Sequence, residues 1–267
     1  MTNEELANRQ KWDAVAEVHY RAYNLSPLRN GGIVLDDISV GEVGNVNGKR
    51  LLHLQCNIGS DTLSWARLGA EVTGVDFSGR SLDVAKRLQT ELGLKARWIE
   101  SDILSLPEKL NETFDVIVAT QGVVCWISDL NRWMKIAADF LQINGALYLM
   151  DSHPILNAVT RETDEYRFEF DYFMKEPTRY EDHGDYADWE FRSPTPLTAY
   201  EWTWSMSDII NTVAKAGLTI EFLNEYDKLF YRESPFWQSD GKGWWIHQRY
   251  YRKIPAMFTL RAIKKQK

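Results

Sequence analysis

The spacing of apolar residues changes period along the chain, and each period predicts an element. Residues 2–22 carry Leu6, Trp12, Val15 and His19 close to one face of a 3.6-residue repeat, and Thr2 with Glu5 has capping-box spacing, so a helix is predicted there. Residues 24–48 hold Pro27, Gly31, Gly32, Gly41, Gly44 and Gly48 and read as a loop-rich connector with room for one short helix. From Lys49 the pattern alternates. Arg50–Leu54, Glu71–Val75, Ala96–Glu100, Phe114–Ala119 and Ala146–Met150 are short apolar runs of strand length. Between them lie amphipathic segments with start and stop signals. One is capped by Ser60 or Asp61, runs to Leu68 and is stopped by Gly69. A second spans Ser78–Leu92 with Leu82, Ala85, Leu88 and Leu92 inward and Gly93 beyond. A third runs from Asp129 to Leu141 with Leu130, Trp133 and Ala137 inward. Strands separated by short helical crossovers form a parallel sheet covered on both faces.

The rhythm breaks after residue 160. Tyr166, Phe168, Phe170 and Tyr172 alternate with charged residues, as do Trp189 with Phe191 and Tyr200, Trp202 with Trp204. Period two predicts antiparallel strands with one aromatic face, and Pro177, Gly184, Pro194 and Pro196 mark turns between them. The α/β pattern resumes with a helix from Ser205 or Ser207 to Ala216, a strand over Leu218–Leu223 and a last strand over Ala256–Ile263, with a second aromatic stretch at 227–255. The expected fold is α/β, a doubly wound, mostly parallel sheet of seven strands with an inserted antiparallel aromatic β cap. Its divisions are an N-terminal helical lid (1–48), a core (49–159 and 205–267) and the cap (160–204).

Charge and composition narrow the class. A net charge of −7 argues against a general nucleic-acid binder, and Lys264, Lys265 and Lys267 are too few for a basic arm. Two cysteines, Cys56 and Cys125, imply no disulfide framework. The polar residues 1–11 are no signal peptide and no apolar run is long enough for a membrane span, so a cytoplasmic protein without membrane partners is expected. No histidine–cysteine cluster with ligand spacing occurs, so no metal is expected.

The chemistry concentrates in Leu51-Leu52-His53-Leu54-Gln55-Cys56-Asn57-Ile58-Gly59-Ser60-Asp61, a strand, a turn and a helix start, followed by a second strand that ends at Gly74-Val75-Asp76-Phe77-Ser78. In a doubly wound sheet such a turn presents backbone N–H groups to a nucleotide-like ligand, and an acid after the second strand accepts ribose hydroxyls. These segments resemble motif I and the second-strand signature of class I S-adenosylmethionine (SAM)-dependent methyltransferases, in particular a bacterial subgroup with a Gln-Cys turn. The resemblance covers about residues 45–155 well and the last sixty or so weakly. It implies a Rossmann-like methyltransferase that binds SAM, releases S-adenosylhomocysteine (SAH) and methylates an O, N or C atom of a small molecule. The sequence departs from the family at His53, where an acid is usual, and at Gln55 and Asn57, where glycines are usual; Gly59 remains.

The resemblance places the cofactor against His53, Gln55, Cys56, Asn57, Gly59, Asp61, Asp76, Phe77 and Ser78. Gln55 is expected to aim its amide at the methionine end, Asn57 to tolerate left-handed backbone, and Asp61 either to hold the SAM amino group or to cap its helix. Ser101-Asp102-Ile103 falls where the family binds adenine, Asp102 being otherwise a loop cap. Thr120, Gln121 and Gly122 end the fourth strand beside the transferred methyl group. His153 follows the fifth strand as a general base or a structural histidine. Trp12, His19, Tyr20, Trp126, Trp202 and Trp204 are expected around the acceptor as lid and wall, or simply in the core. The cap is rich in carboxylates, including Glu162, Glu169, Asp185 and Asp188, which with the aromatics suits a cationic acceptor; an aromatic sheet face equally suits core packing or a homodimer. Other readings stand beside the small-molecule methyltransferase; one, a protein or nucleic-acid methyltransferase, is disfavoured by the acidic surface and the expected cap. A binding protein of the same fold without turnover is favoured by Gln55 and Asn57. An NAD(P)-dependent oxidoreductase shares the acid after the second strand but needs a G-x-G-x-x-G turn that is missing here.

Overall fold

The structure is a computed structural model that describes residues 1–160 and 163–266, so Glu162 and Lys267 lie outside the described residues. The chain opens with helix α1 (Asn3–Ala22), begun by the capping box in which Thr2 and Glu5 bond reciprocally. The connector holds two short helices, α2 (Ser26–Arg29) and α3 (Asp37–Val43), rather than one. The alternating region follows as β1 (Arg50–Leu54), α4 (Ser60–Arg67), β2 (Glu71–Asp76), α5 (Gly79–Leu92), β3 (Arg97–Glu100), β4 (Phe114–Thr120), α6 (Leu130–Phe140) and β5 (Leu141–Ser152). Asp129 caps α6 and Ser78 caps α5. The order within the sheet is β3-β2-β1-β4-β5, all parallel. The direction of winding therefore reverses between β1 and β4, and the crevice outside their carboxyl ends is where doubly wound sheets bind ligands.

The remaining chain contains β6 (Thr178–Asp182), β7 (Leu197–Glu201), α7 (Met206–Lys215), β8 (Thr219–Tyr226), β9 (Trp237–Ser239), β10 (Trp245–His247) and β11 (Met257–Ile263). Strand β11 inserts antiparallel between β5 and β8 and completes a seven-stranded sheet. One face packs Leu52, Ile117, Leu147 and Phe258 against Trp133 and Met134 of α6 and Ile209 and Val213 of α7. The other packs Leu51, Val118 and Tyr148 against Trp65 of α4 and against Trp237 and Trp244. The second aromatic stretch is thus part of the core. Trp65 and Trp133 are almost completely buried, and each such side chain contributes roughly 3 kcal/mol of transfer free energy.

The inserted cap differs from its expected form. It contains one antiparallel hairpin, β6 with β7. The aromatic alternation at 166–172 and around Trp189 forms no strand; only isolated bridges, Val159 to Phe168 and Asp185 to Asp188, occur there. A strand needs a neighbour for its backbone groups, and no continuous ladder reaches these segments. Phe168 and Phe173 instead stay 79% and 71% exposed. Among the described residues no helix is long and apolar enough to cross a membrane.

Candidate functional site

The turn after β1 keeps the shape of a glycine-rich loop with one glycine. Gln55, Asn57 and Gly59 have φ of 57°, 49° and 73°. Left-handed backbone costs roughly 1–2 kcal/mol per ordinary residue, and both non-glycine residues are held by specific bonds. The Gln55 amide donates to the Val123 carbonyl at 3.2 Å and accepts from Trp133 Nε1 at 3.0 Å. Its amide therefore braces the turn against the β4–α6 loop and α6, in place of the expected orientation toward a ligand. The Asn57 N–H donates to Asp76 Oδ2 at 2.8 Å, and its side chain meets His19 and Tyr23 of the α1 region. Gly59 has a second constraint: a Cβ there would lie 2.4 Å from the Trp98 ring and 2.9 Å from the Ala85 methyl group. Cys56 is buried, its thiol pushed up mainly by burial, and it packs against Gly74. His53 is also interior. Its Nδ1 lies 2.8 Å from Thr62 Oγ1 of α4, and burial lowers the imidazole to about 4, so it ties strand to helix as a neutral ring.

Asp76 is nearly inaccessible, and its oxygens accept from the Asn57 and Ser78 N–H groups at 2.8 and 2.9 Å. Burial outweighs these bonds and raises the carboxyl to about 6. Phe77 follows it at partial burial. Ser78 is spent locally: its hydroxyl donates to Asp13 of α1 and caps α5. Asp61 does not cap α4, whose N-cap is Gly59 without a side-chain bond. Its carboxyl, in the first turn of α4, is raised to about 7 by burial first and by the Asp36 charge second. Asp102 is a cap: Oδ1 accepts from the Ser105 N–H at 3.0 Å at the start of the 3-10 turn that begins with buried Ile103. Ser101 is buried and bonds the Asp102 carbonyl. At the end of β4, Gln121 and Gly122 have φ of 67° and 91°, and the buried Thr120 Oγ1 has no partner among the described residues.

The loop beyond is fixed by a residue that the pattern gave no reason to single out. Asp151, at the end of β5, accepts from the N–H groups of Val123 and Val124, each at 2.8 Å. Burial raises it to about 6. His153 is occupied at both ring nitrogens: Nδ1 accepts from the Ile155 N–H at 3.2 Å and Nε2 meets Glu225 at 2.9 Å.

Helix α1 lies across the carboxyl ends of the strands. Arg9 pairs with Glu100 at the end of β3, Asp13 accepts from Ser78, and Trp12 sets its ring edge to face with Trp126 at 5.3 Å. Asn8 exchanges two hydrogen bonds with the Tyr200 backbone on β7, which fastens the helix to the cap. His19 is completely buried between the Asn57 side chain and Asp185, whose Oδ1 is 3.0 Å from Nε2. Trp12, His19 and Trp126 are therefore brought together. Tyr20 is not: it packs toward α5, with its hydroxyl on Glu91 and Arg87 over its ring. Trp204 donates its indole N–H to the Ile127 carbonyl and packs on the main core, while buried Trp202 donates its backbone N–H to the Cys125 carbonyl. Asp13, Tyr23, Asp151 and Tyr186 are the residues that sequence reasoning missed, the helical spacing of Tyr23 with His19 being a signal for one of them; Asp185 was read only as one of the carboxylates of the cap. Among the described residues no group of three or more His, Cys, Asp or Glu is placed to hold a metal ion.

A doubly wound sheet with an acid bonded to the first turn defines a nucleotide-type ligand site of the Rossmann-like class. Residues 51–145 match the methyltransferase domain family. The chain is 35% identical over 118 residues to a ubiquinone biosynthesis O-methyltransferase of Hahella chejuensis, covering 44% of this chain and 46% of that protein. It is 27% identical over 229 residues to the protein of that name from Pseudomonas fluorescens, covering 85% and 88%. The chain spans about half the length or less of the other curated relatives it matches here, for example 46% of the one from Photorhabdus laumondii. A SAM-dependent methyltransferase structure from Methanosarcina mazei superposes with a TM-score of 0.59 at 18% identity, over 87% of this chain and 99% of that one. Residues 51–145 thus match a methyltransferase domain, and the fold is the one seen in solved SAM-dependent methyltransferases.

Proposed function

We propose that this chain transfers a methyl group from SAM to a small-molecule acceptor. The observation that carries the reading is the bond between Asp76 and the Asn57 N–H. It fastens the acid after the second strand to the first turn, so the two parts of a nucleoside site form one rigid unit. A carboxylate offers about four lone-pair directions, so Asp76 keeps capacity for ribose hydroxyls beyond its two backbone bonds. Asp102 retains one oxygen for the adenine amino group, with Ile103 against the ring. Asp61, free of a capping duty, faces the amino group of the methionine moiety. The unpartnered Thr120 hydroxyl, with Gln121 and Gly122, forms the floor where β4 ends; an orphaned buried hydroxyl at that edge fits a site completed by its ligand.

Bound SAM supplies a methyl group already activated by the sulfonium charge. What the chain adds is position and exclusion of water. Asp151 holds the Val123–Val124 backbone beside the floor. Helix α1 and the cap cover the crevice and enclose the acceptor, with Trp12 and Trp126 as its wall. An enclosed crevice suits a small acceptor better than a polymer.

The test is calorimetric titration with SAM, SAH and NAD(H) against wild type and Asp76→Ala. Binding of the SAM pair alone, weakened at least about tenfold in the variant, supports the reading. Tight NAD(H) binding, or none by SAM and SAH to folded protein, overturns it. Binding without turnover across a broad acceptor panel would support the non-enzymatic alternative.

A further inference from the structure

We propose that strand β6 of the cap is an interface between two copies of this chain, which pair antiparallel about a two-fold axis at Tyr180 and join their hairpins into one four-stranded sheet. The inference is independent of the methyl-transfer reading. Strand β6 has a neighbour on one side only, β7, with Arg179 opposite Tyr200 and Tyr180 opposite Ala199. The far edge of β7 is closed: the Tyr200 N–H donates to Asn8 Oδ1 at 2.7 Å, and the Tyr200 carbonyl accepts from Asn8 Nδ2 at 2.8 Å. Tyr200 thus turns both backbone groups away from β6, so Arg179 and Tyr200 form a non-hydrogen-bonded pair. Opposed pairs alternate between the two kinds along an antiparallel ladder. Tyr180 therefore bonds to Ala199, and the backbone groups of Arg179 and Glu181 face the open edge. Among the described residues nothing else bonds to that edge, and Arg179 to Asp182 are exposed.

The register that these outward groups allow is complementary to itself. A two-fold axis at Tyr180 sets Arg179 opposite Glu181 of the second copy, and Glu181 opposite Arg179 of the second copy. Both are pairs of the hydrogen-bonded kind, as the outward backbone groups require. Side chains opposed in this way share a face, and opposite charges there are favourable. Arg179 and Glu181 now bond only each other across one strand, at about half exposure; in the dimer each gains an opposite charge across the axis. Tyr180, on the other face, meets its own copy in a non-hydrogen-bonded pair, where side chains approach most closely. With Thr178 it lines a cleft shared by Phe170 and Met174, and Tyr180 and Phe170 remain 43% and 48% exposed. Exposed aromatics beside an open strand edge mark an association surface. An isologous contact needs a patch that fits itself, and the order Arg-Tyr-Glu provides one. Pairing also takes a two-stranded ribbon, marginal by itself, to four strands.

The test is sedimentation velocity of the full chain over a concentration series. Wild type is expected to show a dimer whose fraction rises with concentration. Arg179→Glu sets like charges opposite each other twice and should raise the dissociation constant about tenfold or more. The double variant Arg179→Glu with Glu181→Arg restores opposite charges across the axis and should recover the dimer. Tyr180→Cys places two thiols at the backbone spacing that a disulfide spans, so mild oxidation should link its dimer, whereas wild type, with Cys56 and Cys125, stays unlinked. A wild-type chain that is monomeric throughout the series overturns the inference. So does a dimer indifferent to Arg179→Glu, one that the double variant fails to recover, or one that Tyr180→Cys does not link.

Discussion

Gln55 Oε1 accepts a hydrogen bond from Nε1 of Trp133 at 3.0 Å, across the boundary between the donor turn and helix α6. Gln55, which stands where the motif it resembles has glycine, thus carries a bond that glycine cannot make. Gln55→Gly relieves a left-handed residue, worth about 1 kcal/mol, but leaves a buried indole N–H without an acceptor, at about 1–3 kcal/mol. A net loss of about 1 kcal/mol is expected in denaturant unfolding. A gain would mean that backbone strain dominates the turn.

Gly59 is constrained both by its φ of 73° and by the Trp98 ring. Gly59→Ala should lower stability by about 3 kcal/mol, combining left-handed strain with overpacking. The double variant with Trp98→Leu should recover part of this, because the ring is the nearest obstacle. Thermal melts of the single and double variants measure the recovered share.

Asp151 organises a loop with one carboxylate oxygen on two N–H groups. Asp151→Ala leaves those donors unpaired and should cost about 1–3 kcal/mol. It should also weaken SAH binding, since the loop carries the floor beside Thr120. Asp151→Ala with unchanged SAH affinity would separate the loop from the donor site.

His53 makes acid sensitivity predictable. Burial lowers its folded value from 6.5 to about 4, so the unfolded chain binds a proton first. Its effect is nil above pH 6.5; stability is lost as pH falls from 6.5 toward 4 and levels off below. The full change is on the order of 3 kcal/mol. His53→Gln should flatten this acid limb in urea titrations at several pH values. A limb unchanged in the variant would assign the loss to other groups.

Much of the core was legible because its signals are local. The apolar runs of β1 to β5, the Thr2–Glu5 capping box and the Asp129 cap depend on neighbours in sequence, and the structure places each as expected. The turn was legible as a ligand site, but not the destination of the Gln55 amide, which is set by Trp133 from a distant helix. The cap was read least well. Alternating aromatics at 166–172 have the period of a strand, yet a strand also needs a partner, and pairing is not written in one segment. The contact of His19 with Asp185 joins residues 166 positions apart, and neither segment alone announces it. Of the two readings of Asp61, the cap fell for a related reason: Gly59 already occupies the N-cap in left-handed geometry.

Strand β11 lies inside the sheet, between β5 and β8, although it is the last strand in chain order. On a ribosome, β8 would therefore emerge with no neighbour to receive its backbone groups, and β5 would present an open edge until β11 followed. Completing the sheet must wait for that strand, and a nascent chain halted before it would leave bare edges on both β5 and β8 for chaperones or for other chains to meet.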